Sequence, residues 1–368
     1  IRDKLVTGVQ TCALPISVIE LLNTCGPSTG LFHEYEYKLA KKVSELLTEE
    51  RGEEVNYIPQ VGGAIIENDT GYVVGIIGGR EKTGSLTLNR ALQKFQVGST
   101  TKPISTYSPG IDTGVLTLGT TFNDVLLKFD GNYTPHDANS MKGMITVRQA
   151  LTSSVNIVAV QAERTVGHQT CAEYAEKFGF DITWSGYNND LNSAALALGG
   201  YTYGQSPLAV ASAYTVFPNG GYRVTPTFYT KVTDSNGVVI LESHQETVQV
   251  ISEQTAWLIT SCLKNVVRGG TTNRSVPGQE IGGKTGTTNN NSDGWFMCFT
   301  PSLVCGTWVG GEDRGIHFDN MAEGQGASMA LPISALYLKK VLEDPDLGYS
   351  PTEQFEIPKW FDPNEGCE

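Results

Sequence analysis

Hydrophobic positions along the chain predict hairpins toward both ends. Apolar runs at 62–67 and 72–77 flank a polar turn at 68–71 that ends in Gly71, a pattern typical of a β-hairpin. Similar pairs of apolar runs flank turn sequences at 234–237 and 300–302. The chain is therefore expected to contain three hairpins.

Helical periodicity dominates the middle of the chain, from about residue 100 to residue 214. The clearest predicted helices are 147–166 and 207–217, and 253–267 has the same spacing. Nearer the start, residues 33–51 repeat apolar side chains on one face before Gly52, which predicts an amphipathic helix. Together these elements predict one mixed α/β domain whose sheet takes strands from both ends of the chain.

Composition narrows the classes of function. The 368 residues include 26 Lys plus Arg against 39 Asp plus Glu, a formal net charge of -13. So acidic a surface repels nucleic acid and anionic membranes, which disfavours nucleic-acid binding. Because no run of roughly eighteen apolar residues occurs, no membrane span is predicted.

The seven cysteines and five histidines are dispersed along the chain. They form no CxxC pair and have no spacing of a metal site, so no metal or other cofactor is implied. Cys298 and Cys305 fall on predicted neighbouring strands. We interpret both as small buried hydrophobic residues rather than as a pair.

Three short motifs that carry chemistry follow one another in the sequence. The first runs from Ser99 to Lys102 as Ser-Thr-Thr-Lys. If Ser99 opens a helix, Lys102 lies one turn on along the same face, with Cβ atoms about 5–6 Å apart. A serine hydroxyl needs a neighbouring base, and a lysine serves once burial or another cation lowers its pKa. Pro103 is compatible with this first helical turn.

The second motif is Ser154-Val155-Asn156 at a predicted helix start, where a hydroxyl can relay a proton and an amide can orient a substrate. Ordinary helix N-capping is the alternative interpretation. The third motif is Lys284-Thr285-Gly286, followed by Thr287. The glycines at 282, 283 and 286 allow a substrate backbone to lie against a strand edge, and the lysine suits a terminal carboxylate. The alternative is a turn beside a strand.

Each motif is weak when it stands alone. A second SxxK pattern begins at Ser261, and a second Lys-Thr-Gly triplet begins at Lys82, but neither fits the order of the other motifs. Two Asp-Thr-Gly triplets, at Asp69 and Asp112, would suit an aspartic protease. Since the first is a predicted hairpin turn and the two lie close together in sequence, that function is disfavoured.

The surroundings of the three motifs resemble the transpeptidase domain of class A penicillin-binding proteins, from roughly residue 62 to residue 333. The pieces that carry the resemblance are FQVGSTTKPIS, YTPHDAN, VRQALTSSVNIVAVQ, SPLAVASAYTVFPNGG, GGKTGTTNNNSDGWF and WVGGED. The order of the motifs is also typical of this group and of β-lactamases. One departure is Val97, where the family usually has proline.

The resemblance implies a fold with a five-stranded antiparallel sheet flanked by helices, as in serine β-lactamases. It implies that Ser99 attacks the D-alanyl-D-alanine end of a peptidoglycan stem peptide, with Lys102 as the base. Ser154 would return the proton to the leaving amine and Asn156 would hold the substrate amide. Lys284, Thr285 and Thr287 would hold the terminal carboxylate, and Gly286 would bind substrate beside them. The N–H groups of Ser99 and Thr287 would form an oxyanion hole. β-Lactam antibiotics would acylate the same serine.

The expected organisation has four parts. Residues 1–16 resemble sequencing-adapter read-through and are expected to be a non-native leader. A linker with the amphipathic helix follows at 17–57, then the transpeptidase domain at 58–345 and a C-terminal tail at 346–368. The resemblance also implies an extracytoplasmic location. A glycosyltransferase domain and a membrane anchor would belong to the full-length protein, of which this chain is expected to be a fragment.

Two other functions remain open for the same fold. A serine β-lactamase or DD-carboxypeptidase would use the same nucleophile but needs a base that activates water. Glu163 is the candidate, although we interpret it as a solvated charge on a helix. A non-catalytic penicillin sensor would keep Ser99 and still be acylated.

Overall fold

The structure, a computed structural model, describes Glu49 and residues 58–80, 87–129, 134–137, 140–269 and 279–360. The predicted leader and the predicted amphipathic helix lie outside the described residues, Glu49 apart, and so does the second Lys-Thr-Gly triplet. Over these ranges, no helix combines the length and the apolar character that a membrane span requires.

A five-stranded antiparallel sheet forms the centre of the described part of the chain. Its strands are β1 (Gln60–Glu67), β2 (Val73–Ile77), β9 (Gly282–Thr287), β10 (Asp293–Phe299) and β11 (Leu303–Gly310). From one edge to the other, their order is β2-β1-β11-β10-β9. The predicted fold class is confirmed, because strands from both ends of the chain pair directly in β1 and β11. The hairpins predicted at the two ends are β1–β2 and β10–β11.

Three smaller antiparallel pairs lie outside this sheet. They are formed by β3 (Thr121–Asp124) with β4 (Gly143–Thr146), β5 (Tyr222–Val224) with β8 (Thr247–Gln249), and β6 (Lys231–Thr233) with β7 (Val239–Glu242). The pair β6–β7 is the predicted middle hairpin.

Helices cover both faces of the sheet. They are α1 (Ser108–Asp112), α2 (Val147–Thr152), α3 (Asn156–Val166), α4 (His168–Lys177), α5 (Ser193–Leu196), α6 (Pro207–Tyr214), α7 (Glu253–Gly269), α8 (Met321–Gly324) and α9 (Gly326–Glu343). One core packs the central helices against side chains such as Trp295, Met297 and Trp308. The opposite core packs α9 against Ile65, Cys298 and Cys305. Alternate residues of each strand thus enter different cores.

The single helix predicted at 147–166 is wrong in one respect. The structure divides it into α2 and α3 at Ser153-Ser154-Val155, where Ser154 takes a left-handed conformation with φ of 58°. The apolar spacing continues through the break because Val155 is itself buried. Periodicity therefore gave no sign of it.

Cys298 and Cys305 lie opposite each other on β10 and β11. Both are buried free thiols, and the Cys298 Sγ contacts the Cys305 carbonyl oxygen at 3.7 Å. Their interpretation as small buried residues agrees with this arrangement.

Candidate active site

Ser99 lies in the first turn of a continuous helical segment whose helix type changes along its length. Gly98–Thr101 form a 3₁₀ turn, Lys102–Tyr107 a π-helical turn, and α1 follows. The Lys102 N–H donates to the Ser99 carbonyl oxygen, which places Lys102 one turn after the serine, as the spacing predicts. Ser99 is partly exposed on a cleft, whereas Lys102 is completely buried.

Two glycines bring the Ser99 turn directly against β9. Gly98 has a φ of 55°, and a Cβ there would lie 2.7 Å from the Thr287 carbonyl oxygen. A Cβ on Gly286 would lie 2.6 Å from the Val97 carbonyl oxygen. Any side chain at either position would therefore separate the serine from the strand.

Ser154 enters the same region because the α2–α3 turn is left-handed at that residue. The Ser154 N–H donates to the Leu151 carbonyl oxygen, and the Val155 N–H donates to the Ala150 carbonyl oxygen. These two hydrogen bonds close the turn at the end of α2. A serine backbone in the left-handed conformation is less stable than one in the right-handed conformation by about 1–2 kcal/mol. The contacts of its side chain and carbonyl oxygen offset that cost.

Two buried lysines converge on Ser154. The Lys102 Nζ donates to the Ser154 carbonyl oxygen at 2.6 Å, to the Ser154 Oγ at 3.3 Å and to the Asn156 Oδ1 at 2.5 Å. The Lys284 Nζ donates to the Ser154 Oγ at 2.7 Å and to the Thr285 carbonyl oxygen at 3.0 Å. One hydroxyl therefore connects the amines of the first and third motifs.

Burial controls the charge of both lysines. It lowers the pKa of Lys102 to about 7, against the opposing effect of the negative charge on Asp137. It also lowers the pKa of Lys284 well below the usual value, and the charge of Lys102 adds to this effect. A neutral lysine amine, which can accept a proton, is thus accessible near neutral pH.

The cleft has a volume of about 680 Å³. Its walls include Ser99, Ser154, Asn156, Thr285 and Thr287 from the predicted motifs. The Thr287 Oγ1 accepts a hydrogen bond from the Gly326 N–H at 3.0 Å, which fixes that hydroxyl at the start of α9. Gly286 lies on β9 between the two threonines.

All eight predicted site residues therefore lie in or beside one cleft. The arrangement differs from the simplest expectation in one respect: the Lys102 Nζ is directed to the second motif. Within the part of the chain that the structure describes, the Ser99 hydroxyl has no hydrogen-bond partner, which leaves it available to a molecule in the cleft.

Sequence reasoning missed Asp124 and Asp137, which also line the cleft. Asp137 belongs to the YTPHDAN segment, yet its spacing from the motifs gave no sign of contact with Asn156. Asp124 had no signal at all, since only the pairing of β3 with β4 brings it there.

The competing motifs have structural roles. Ser261 and Lys264 lie on α7, where the Ser261 hydroxyl donates to Leu258 and Lys264 pairs with Glu280. The Asp112 carboxylate accepts hydrogen bonds from Ser252, Thr255 and Tyr174. These contacts join the end of α1 to α4 and to the start of α7.

The interpretation of Glu163 as a solvated charge is wrong. Its side chain is completely buried, where it pairs with the His168 Nδ1 and accepts a hydrogen bond from the Ser193 Oγ at 2.6 Å. Glu163 is not among the residues that line the cleft. Glu163 is therefore held by buried partners away from the cleft in which a base would have to activate water.

Val97, the departure from the family pattern, makes a contact that proline cannot make. Its N–H donates to the Gly199 carbonyl oxygen at 3.2 Å, and its side chain is completely buried. Proline has no N–H at this position. Val97 thus contributes a hydrogen bond behind the Ser99 turn that a proline there would lack.

Comparison with known proteins identifies relatives of this chain. The sequence profile described as penicillin binding protein transpeptidase domain matches residues 62–304. Penicillin-binding protein 1A of Clostridium tetani is 35% identical over 272 residues, which are 69% of this chain and 34% of the relative. The chain thus spans about a third of the length of the curated relatives it matches.

Solved structures of penicillin-binding proteins are similar to this structure. Penicillin-binding protein 1A from Haemophilus influenzae is similar with a TM-score of 0.71 and 27% identity, over 83% of this chain and 50% of that one. The D,D-transpeptidase domain of a peptidoglycan glycosyltransferase from Eggerthella lenta has a TM-score of 0.63 and 22% identity, over 82% of this chain and 81% of that one, which shows a shared fold. With the profile match over most of the chain and the three motifs in one cleft, this chain belongs to the penicillin-binding protein transpeptidase domain family.

Proposed function

We propose that this chain is a serine D-alanyl-D-alanine transpeptidase that cross-links peptidoglycan stem peptides. The observation that carries the proposal is the position of the Ser154 hydroxyl. It accepts hydrogen bonds from Lys102 and Lys284 in the cleft that also holds Ser99. This is an arrangement for moving a proton between a serine nucleophile and a leaving amine.

In the first step, the Ser99 Oγ attacks the carbonyl carbon of the penultimate D-alanine. The neutral Lys102 amine takes the hydroxyl proton, and the new Oγ–C bond gives a tetrahedral oxyanion. The N–H groups of Ser99 and Thr287 are the proposed donors to that oxygen, a role favoured by the close approach of Gly98 to Thr287.

In the second step, the C–N bond breaks and terminal D-alanine leaves. Its nitrogen needs a proton, which passes from Lys102 through the Ser154 hydroxyl. Lys284 stabilises the substrate carboxylate, and this carboxylate in turn favours the charged form of Lys284. Thr285, Gly286 and Thr287 lie on β9, an edge strand of the sheet along which an extended peptide can bind.

In the third step, the amine of a second stem peptide attacks the acyl carbon. The new C–N bond forms the cross-link, the C–Oγ bond breaks, and the amine proton returns to Ser99. Asn156, whose Oδ1 accepts from Lys102, lies where it can orient the substrate amide. A β-lactam undergoes the first step and leaves Ser99 acylated.

The family relationship also motivates proposals about the full-length protein. The Eggerthella lenta relative is a domain of a peptidoglycan glycosyltransferase. We therefore expect a glycosyltransferase domain and a membrane anchor elsewhere in the protein. Its peptidoglycan substrate would place this domain outside the cytoplasmic membrane.

The test is intact mass measurement after incubation with benzylpenicillin, beside assay of D-alanine release from a stem pentapeptide. We expect one stable adduct and D-alanine release, both lost in Ser99→Ala and retained in Ser261→Ala, which removes the serine of the competing motif. Absence of an adduct with the drug intact would contradict the proposal. Drug consumption without an adduct would indicate a β-lactamase, and an adduct without D-alanine release would indicate a sensor.

A further inference from the structure

Lys142 is an exposed lysine on the wall of the cleft, and the proposed reaction does not use it. It differs from Lys102 and Lys284, which are completely buried and whose amines both donate to Ser154. A molecule that enters the cleft therefore meets the amine of Lys142 at the surface of the wall.

Two hydrogen bonds fix the course of Lys142. Its backbone N–H donates to the Asp124 Oδ2 at 2.8 Å, and its Nζ donates to the Ser153 Oγ at 2.8 Å. The first contact is anchored in the protein interior, because Asp124 is 1% exposed. An ordered lysine loses less rotamer entropy when a ligand binds, and its ammonium group still has two N–H donors to offer.

The two carboxyl groups that line the same cleft do not pair with this amine. Among the described residues, the Lys142 side chain contacts the Ser153 hydroxyl and forms no ion pair. Asp124 and Asp137 each accept one backbone N–H, and the other oxygen of each carboxyl group is buried. The ammonium group is thus the exposed charge that an anionic ligand can reach on this wall.

The position of Ser153 relates this ammonium group to the proposed reaction. Ser153 directly precedes Ser154, and Asn156 follows at the start of α3. In the proposed reaction, β9 holds the terminal carboxylate, and Asn156 orients the amide that precedes the penultimate D-alanine. The donor peptide then extends from β9 past the α2–α3 turn. Its next residue comes beside Ser153 and Lys142.

We propose that Lys142 and Ser153 form a subsite for a second carboxylate of the donor stem peptide. This carboxylate belongs to the side chain of the residue that precedes D-alanyl-D-alanine. The ammonium group supplies the charge, and the Ser153 hydroxyl, which accepts from Lys142, supplies its own proton as a further donor. The inference rests on the proposed function and adds a selection for acidic over amidated stem peptides.

Two peptides that differ in one group test the subsite. They are acetyl-L-α-aminoadipyl-D-alanyl-D-alanine and its side-chain carboxamide, and the measurement is kcat/KM for D-alanine release from each. We expect the unsubstituted protein to prefer the acid by about two- to fivefold, the effect of one solvent-exposed ion pair. The preference should shrink at a salt concentration of about 1 M, where the attraction is screened.

Substitutions at Lys142 should change the ratio of the two rates in graded steps. Lys142→Arg retains the preference for the acid, Lys142→Gln brings the ratio to about one, and Lys142→Glu makes the amide the better substrate by a similar factor. Lys340→Gln is the matched control and retains the preference. Lys340 is an exposed lysine on α9, about 20 Å along the helix from Ala327, which lines the cleft.

A purely structural role of Lys142 predicts a different result. If Lys142 only braced the α2–α3 turn, its substitutions would slow both peptides by the same factor and leave the ratio unchanged. That result, or equal rates for the two peptides in the unsubstituted protein, overturns the proposal.

NMR titration of Ser99→Ala with the same peptides measures weak binding without acylation. Tighter binding of the acid, lost in Ser99→Ala/Lys142→Gln, supports the subsite even if neither peptide releases D-alanine from the unsubstituted protein, a failure that would contradict the proposed function alone. Equal binding of the two peptides to Ser99→Ala contradicts the subsite.

Discussion

At the scale of single residues, two buried lysine amines and one left-handed backbone segment meet at the Ser154 hydroxyl. Its Oγ accepts from two lysines, which leaves its own proton to be donated into the cleft. A chain Lys102–Ser154–substrate amine follows from this geometry. The left-handed backbone places that oxygen between the two lysines. Substitutions can therefore distinguish the effect of the hydroxyl from the effect of the backbone conformation.

Ser154→Gly and Ser154→Ala separate them. Both variants lose the hydroxyl, so both are expected to lose acylation by about 100- to 10,000-fold, the usual contribution of a proton-transfer group. Only Ala retains the left-handed strain, so Ser154→Gly should be about 1 kcal/mol more stable than Ser154→Ala. Urea unfolding and the rate of penicillin binding measure the two effects. Equal stability of the variants would contradict the strain, and near-normal acylation of either would contradict the relay.

Residue types and spacing predicted eight candidate site residues that the structure brings to one cleft, because each motif is contiguous in the sequence. Residue types and spacing did not identify Asp124 and Asp137, which reach the cleft only because β3 pairs with β4 and the 134–137 segment contacts α3. The prediction that Glu163 is exposed to solvent was wrong. A charged residue on a predicted helix is usually exposed, whereas Glu163 is buried with His168 and Ser193 as partners. Short sequence motifs do not reveal contacts between residues that lie far apart in the sequence.

At the scale of elements, the site depends on the contact between the Ser99 turn and β9. Glycine at 98 and at 286 allows the two backbones to touch, while Thr287 is held by the start of α9. The oxyanion hole proposed above needs both N–H groups fixed to within a fraction of an ångström. The turn and the strand thus act as one unit.

Gly98→Ala should break this unit. Its Cβ would press on the Thr287 carbonyl oxygen, and we expect acylation to fall about 100-fold or more because the serine moves away from the strand. Gly114→Ala is the matched control, since Gly114 has a φ of 73° and no atom within 4 Å of its added Cβ. It should cost about 1–2 kcal/mol of stability through the left-handed backbone and leave acylation unchanged. Similar acylation rates in both variants would show that the close approach is dispensable.

Hairpins were the elements best predicted, because turn residues and alternating apolar runs are short-range signals. The break between α2 and α3 was not predicted, since the contacts that hold Ser154 left-handed come from Lys102 and Lys284, far away in sequence. Helix α9 was also missed, although it covers one face of the sheet.

At the scale of the whole molecule, strands from the two ends of the chain close one sheet. β1 lies between β2 and β11, so the ladder joins residues near 60 to residues near 310. Each core takes side chains from both regions. The described domain should therefore unfold in a single transition, with loss of the cleft and of the sheet together.

The boundary at residue 345 stays a prediction, and the contacts of the following segment argue for a unit that continues to Phe355. The Tyr349 hydroxyl donates to Glu67 at 2.7 Å, and Glu353 accepts from the Ser302 Oγ at 2.6 Å. The Phe355 ring packs edge-on against Phe299 with 5.7 Å between centroids. Its N–H donates to Glu280 at 3.1 Å.

Phe355→Ala tests whether this segment is part of the cooperative unit. The ring is 7% exposed, so its removal should cost about 3 kcal/mol and lower the midpoint of one unfolding transition. Ile357→Ala is the control, because Ile357 is 59% exposed and its truncation should change stability by no more than about 0.5 kcal/mol. Acylation well below the transition should be normal in both, since neither residue reaches the cleft. An unchanged midpoint in Phe355→Ala would place the end of the folded domain before this segment, near residue 345.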